Sequence, residues 1–372
     1  MNNIQNVITK RKRIIIVQII SLILIIGYAT SCGNRIPEPG EWQSIGLENK
    51  LVGKLRIIDD ELYACAGQDG LYKINLKKYN SEWKYLGMEG IDTSIIDKVL
   101  NHGVTDVVKV GNDLIVSCQY NYWMKKKGIY RSSDEGKTWI PSDSGMIICE
   151  TFPTTSQVFR LFQFSNNPST IIAGATSSLL YKSIDCGKTW RIIHGSSGGS
   201  LIYHSMIFNP NNLNEIWMGI ETGRFLPYIM QSKDSGENWE EMIGIPLSIC
   251  PPTMMNSIYD IAIDSENDST MYLGMWGLIA KTKDKGQTFR RILGWEDGAH
   301  MIWRIELNPE DPSEIFATGG YLIHSTDSGE TWDKITPPDD RNELYALEIN
   351  WDKRLLYVSA SSPDNGIYRY AF

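Results

Sequence analysis

Four loop carboxylates, Glu221, Glu296, Asp297 and Asp339, are of the type that cleaves glycosidic bonds. That chemistry needs two carboxyl groups roughly 5–10 Å apart across the scissile bond. Solvated loop charge in an acidic chain is the plain alternative for all four. Six aromatic residues fall in loops at one end of the strands described below: Tyr120, Tyr122, Trp123, Phe225, Trp276 and Trp295. Such rings serve as platforms for sugars or peptides when a few polar groups fix orientation; otherwise they cap strand ends. Asp106, Arg160, His204, Tyr259, Trp303 and Arg304 stand near strand starts. They are candidates to line a central channel, although a one-residue slip would turn each to the other face.

Other chemistry is weakly supported. The histidines His102, His194, His204, His300 and His324 show no metal-ligand spacing, and no Cys-x-x-Cys occurs, so neither metal nor cofactor is expected. Gly195-Ser196-Ser197-Gly198-Gly199 matches a nucleophile elbow in letters only, because that motif needs a strand-to-helix turn. Five cysteines follow Cys32: Cys65, Cys118, Cys149, Cys186 and Cys250. Buried thiols are the favoured state, and a Cys65–Cys118 disulfide between equivalent strands stays open.

What must position these groups is a repeat. Ser132-x-Asp134-x-Gly136-x-Thr138-Trp139 recurs at Ser183 to Trp190, Ser232 to Trp239, Thr282 to Phe289 and Ser325 to Trp332, at spacings of 51, 49, 50 and 43 residues. Asp suits a turn because its carboxylate accepts nearby backbone N–H groups, and Gly suits the reversal because it tolerates φ > 0. The following aromatic enters a strand and buries a large area. The segment resembles the Asp-box, or BNR repeat. That resemblance implies structural rather than catalytic roles for Asp134, Asp185, Asp234, Asp284 and Asp327.

Each copy follows a strand, a turn such as Asn308-Pro309-Glu310-Asp311-Pro312, and a second strand. Four short strands per roughly 50 residues make one propeller blade. Trp42, Trp83, Trp139, Trp190, Trp239, Phe289 and Trp332 occupy one blade position. The expected fold is therefore all-β: a seven-bladed β-propeller of four-stranded antiparallel blades, with six or eight blades as alternatives. The chain ends on Gly366-Ile-Tyr-Arg369, a third strand, and opens at Trp42 on a fourth. Pairing the N- and C-terminal strands would close the ring and remove exposed edges. The propeller would span 41–372, its last blade shared by 338–372 and 41–47.

Residues 1–31 read as an address. Lys10 to Arg13 are basic and Ile14 to Tyr28 are mostly apolar. Fifteen helical residues reach roughly 22 Å, short of a roughly 30 Å hydrocarbon core. The run fits a signal peptide, and Ala29-Thr-Ser-Cys32 resembles a bacterial lipobox, which implies lipidation at Cys32. A short tether, 32–40, would follow. An uncleaved anchor is the alternative. Loss of 1–31 leaves 32 basic against 44 acidic residues, a charge of −12, which argues against nucleic acid as partner.

Across the mature chain the repeat resembles xyloglucan-cleaving hydrolases, sortilin-type receptors and photosystem II assembly factors. Asn34-Arg35-Ile36-Pro37 also resembles the Arg-Ile-Pro motif of sialidases, but lies in the tether. The expected function is a lipid-anchored cell-envelope module that binds a protein, peptide or glycan, facing the periplasm or the cell surface. The alternative is a glycoside hydrolase or lyase.

Overall fold

The computed structural model describes residues 35–78, 80–93, 103–119, 128–147, 158–175, 179–195, 201–221, 227–241, 244–246, 248–250, 257–294, 296, 301–337, 343–361 and 366–372. These form seven four-stranded antiparallel sheets arranged as a propeller. The inner strands of blades one to seven are Lys54–Ile58, Gly103–Val110, Val158–Gln163, Ile202–Asn209, Ile258–Ile263, Arg304–Leu307 and Glu343–Asn350. Each touches the inner strands of both neighbouring blades, and blade seven meets blade one.

The ring closes as the sequence predicts. Trp42–Gly46 is the outer strand of blade seven and pairs with Gly366–Ala371, with Trp42 opposite Tyr370 and Gln43 opposite Arg369. Arg369 strengthens the seam by donating to Gln43 Oε1 at 2.6 Å and to the Arg35 carbonyl at 3.0 Å. Arg35 itself pairs with Glu38 and Glu41 at 3.3 and 3.0 Å, on the outer side of blade seven.

The core lies between blades. Second strands such as Ile171–Ala175 and Met271–Met275 are buried at every position, because sheets pack on both of their faces. That explains why they read as unbroken apolar runs rather than alternating ones. Tyr63 and Leu71 of blade one pack with Val107 and Trp139 of blade two, and Trp217 of blade four packs with Ile261 and Leu273 of blade five. The tryptophan at the start of an outer strand reaches toward the preceding blade. Trp83 donates to the Ile45 carbonyl at 2.7 Å and Trp190 to the Ser142 carbonyl at 2.8 Å.

The five repeated turns are built alike. The Ser or Thr hydroxyl donates to the first Asp oxygen at 2.7–2.9 Å. It accepts the Gly N–H at 2.8–2.9 Å. The same Asp oxygen accepts the N–H four residues on, and the other takes the Thr hydroxyl or Asn amide at 2.5–2.7 Å. Two residues in succession are left-handed, the second always Gly, with φ of 73–85°. A Cβ on Gly236 would stand 2.9 Å from the Ile172 Cδ1 of blade three, which could give way, so it is the left-handed backbone that requires glycine.

These contacts set the carboxyl chemistry. The Thr138, Thr288 or Thr331 hydroxyl, then backbone N–H groups, lower Asp134, Asp284 and Asp327, the last two to about 2. For Asp185 and Asp234 partial burial opposes ionisation and the same kinds of donor override it.

Two outcomes follow. Ser325 is buried, and Ser325→Ala leaves the Gly329 N–H without its acceptor, so urea unfolding should show a loss of about 1–3 kcal/mol. The depressed carboxyls contribute stability that is full above their ordinary value near 4 and is lost as pH falls through about 2. The melting temperature should therefore drop across that window; a flat profile from pH 5 to pH 2 would contradict the assignment.

Candidate functional site

Five of the seven inner strands share an irregularity near their starts. Register slips between Val104 and Asp106, Val158 and Arg160, Tyr203 and Ser205, Ile258 and Asp260, and Leu344 and Leu347. The extra residues include Thr105, His204, Tyr259 and Tyr345. Trp303, just ahead of the blade-six strand, holds the corresponding place and donates its N–H to the Thr318 carbonyl at 2.8 Å. A bulge adds a residue that the ladder does not pair and re-aims its side chain. Here an apolar residue before the bulge packs between blades while the bulge residue turns aside.

The result is a continuous arc of rings across blades four to seven. Centroids lie 5.2 Å apart from His204 to Tyr259, 4.9 Å from Tyr259 to Trp303 and 5.5 Å from Trp303 to Tyr345. The rings are tilted by 54–59°, and their centroids lie within the range over which aromatic pairs attract. All four rings are half-buried, so part of each faces solvent. Glu343 marks one end of the arc. It accepts the Tyr345 hydroxyl at 2.7 Å and the Ser361 hydroxyl at 3.2 Å, and is itself exposed.

Farther along the same strands is a belt of charge: Lys54, Arg56, Arg160 and Arg304 against Asp106, Asp260, Glu306 and Glu348. Asp106 is wholly buried. Arg56 grips it at 2.6 and 2.8 Å and also donates to the Leu161 carbonyl at 2.6 Å. The Val107 and Leu161 N–H groups donate to Asp106 as well. Burial opposes its ionisation, but Arg56, with Lys54 and Arg160 behind, holds it at about 2. Blades five and six repeat the device. Asp260 accepts the Ile305 N–H at 2.8 Å and Arg304 at 3.1 Å, and Arg304 also reaches Glu306 at 3.1 Å. Burial pushes Glu306 up to about 7, helped by Glu348 and Asp260 and opposed by Arg304. Burial, then Arg304 and Arg56, brings Lys54 down to about 7.

The structure thus gathers His204, Tyr259, Trp303, Asp106, Arg160 and Arg304 around one channel. Sequence reasoning missed Tyr345, Lys54, Arg56, Asp260, Glu306 and Glu348. A signal existed: a recurrent pattern of apolar residue, ring and small or charged residue at Tyr203-His-Ser, Ile258-Tyr-Asp, Ile302-Trp-Arg and Leu344-Tyr-Ala. Trp276 is half-buried and bridges Met301, just ahead of Trp303. Glu296 is bound by Arg291. Tyr120, Tyr122, Trp123, Phe225, Trp295, Asp297, Asp339, Cys149 and Cys32 lie outside the described residues, as does the Glu221 side chain. Cys65, Cys118, Cys186 and Cys250 are free thiols, so no Cys65–Cys118 disulfide forms. Among the described residues no cluster of His, Cys, Asp or Glu could hold a metal ion.

No sequence-family profile matches the chain, and no curated protein does. Solved structures share its fold. A GH74 enzyme from Niastella koreensis superposes with a TM-score of 0.64 at 18% identity over 88% of this chain and 53% of its own. The chain thus spans about half the length of that enzyme. YCF48 bound to D1 peptide matches at TM-score 0.59 and 13% identity, over 91% of this chain and 97% of its own. The extracellular domain of the one-component system BT4673 from B. thetaiotaomicron matches at TM-score 0.62 and 13% identity, over 89% and 40%. At these identities the likeness establishes a seven-bladed propeller and nothing finer.

Asp106 offers a direct test of the charge belt. Asp106→Ala strands Arg56, whose side chain keeps 25% of its surface exposed, so the cost should sit near the lower end of the range for a broken buried pair, about 3 kcal/mol in denaturant unfolding. A change within error would show that the belt contributes nothing to the fold.

Proposed function

We propose that this chain is a cell-envelope binding module that holds a protein, peptide or glycan at the channel mouth on blades four to seven. The four-ring arc carries this reading. Rings that touch across four blades and keep solvent-facing surface offer a preformed apolar contact, and little order need be gained on binding. Trp276, also half-buried, supports the reading, since its backbone bridges Met301, two residues ahead of Trp303.

The location rests on the N-terminal sequence. In this proposal residues 1–31 are a lipoprotein signal, Cys32 carries the lipid, and a short tether leads into a propeller spanning 41–372. The body, with a charge of −12, gains nothing from anionic headgroups, so lipid rather than surface charge does the anchoring. The matched propellers whose names mention an enzyme, a peptide complex and a one-component system are compatible with several roles. Several of the described carboxylates are committed to partners within the protein, which supports binding over bond cleavage at those positions. Glu296 is tied to Arg291, Glu343 to Tyr345 and Ser361, and Asp106 and Asp260 to arginines and backbone N–H groups.

Two measurements check this. Cells fed labelled palmitate should label the processed protein beginning at Cys32, and Cys32→Ala should abolish the label. Affinity capture from envelope extracts, with a glycan array in parallel, should retain a ligand that Trp303→Leu and Tyr259→Leu both lose while their melting curves stay cooperative. Release of reducing sugar with no retained partner would overturn the binding reading in favour of a hydrolase.

A further inference from the structure

Resting on that proposed function, we infer that the mouth recognises a positively charged organic ammonium group, carried by the ligand and seated between the ring arc and the carboxylates beside it. Two observations converge. The first is the arc itself, since aromatic faces attract cations through their quadrupole. The second is how charge is shared around the channel. Blades one to three contribute Lys54, Arg56 and Arg160 against Asp106. Blades five to seven, which carry three of the four rings, contribute Asp260, Glu306 and Glu348 against Arg304. The channel is balanced as a whole yet polarised, and its acidic side coincides with its aromatic side. Glu343, hydrogen-bonded to Tyr345, adds an exposed carboxylate at the rim.

A lysine side chain within a peptide and an amino sugar both carry such an ammonium group.

The charge state of the site couples binding to pH. Glu306 is faced by Arg304 on its own strand, Asp260 from blade five, Glu348 from blade seven and Lys54 from blade one. Lys54 in turn is faced by Arg304, Arg56, Asp106 and Glu348. As pH rises through about 7, Glu306 gains negative charge and Lys54 loses positive charge. Both changes favour a bound cation, so affinity for a lysine-type ammonium, which keeps its charge across this range, should increase from pH 6 to pH 8.

The experiment is titration of the full chain in a neutral detergent, followed by calorimetry and tryptophan fluorescence. One pair of probes is Nα-acetyl-lysine methylamide and its Nε-acetylated form; the other is glucosamine and N-acetylglucosamine. At least one charged member should bind, and its acetylated partner should bind about tenfold more weakly or not at all. The pair that responds identifies the source of the ammonium. Glu343→Gln, an exposed change, should weaken the charged probe several-fold, as should Trp303→Leu, and Glu306→Gln should flatten the rise with pH. Equal binding of charged and acetylated probes, or no binding by any of them, overturns the inference. If the envelope ligand is nonetheless retained and lost in Trp303→Leu, the binding function stands and only the ammonium assignment falls.

Discussion

Seven inner strands converging on one channel bring charged side chains into a space where an unpaired charge is costly. The structure answers by locking carboxylates with two kinds of donor. Asp106 and Asp260 each take a backbone N–H from the next blade and an arginine at the same time. These contacts cross from one sheet to its neighbour, so they fix how adjacent inner strands sit. The ring arc depends on that spacing, because each aromatic pair in it spans two blades.

The repeated Asp turns do a different job away from the channel. They hold two left-handed residues in place and feed the outer-strand tryptophan against the preceding blade. Blade one lacks the turn but keeps Trp83, and blade seven substitutes the seam between Trp42–Gly46 and Gly366–Ala371. Stability is therefore distributed over turns, seam and inter-blade core. At the channel mouth the irregular register is where side chains are re-aimed.

Much of this was legible in the sequence, for physical reasons. The turns need a hydroxyl, a carboxylate and a glycine at fixed offsets, so they survive as a pattern at near-constant spacing. The seam was legible because a lone third strand and a lone fourth strand complete each other. The site was half legible. His204, Tyr259, Trp303 and Arg304 stood out by type, whereas Tyr345 and the charges Lys54, Arg56, Asp260, Glu306 and Glu348 did not. A bulge changes which residues share a face, and alternation cannot anticipate it. Blade one has no such slip, so Lys54 and Arg56 reach the channel by ordinary pairing. The thiols follow burial: Cys65 and Cys118 sit in fully covered second strands, where desolvation raises both well above the ordinary thiol range.

The central claim is that ligand binds where the inner strands begin. Hydrogen–deuterium exchange on the full chain, with and without its captured ligand, tests it most directly. The account predicts new protection confined to the starts of the inner strands in blades four to seven, around residues 203–206, 258–261, 301–305 and 343–347. Protection concentrated instead on the Asp turns, such as 232–239 and 325–332, with the inner-strand starts unchanged, would contradict it.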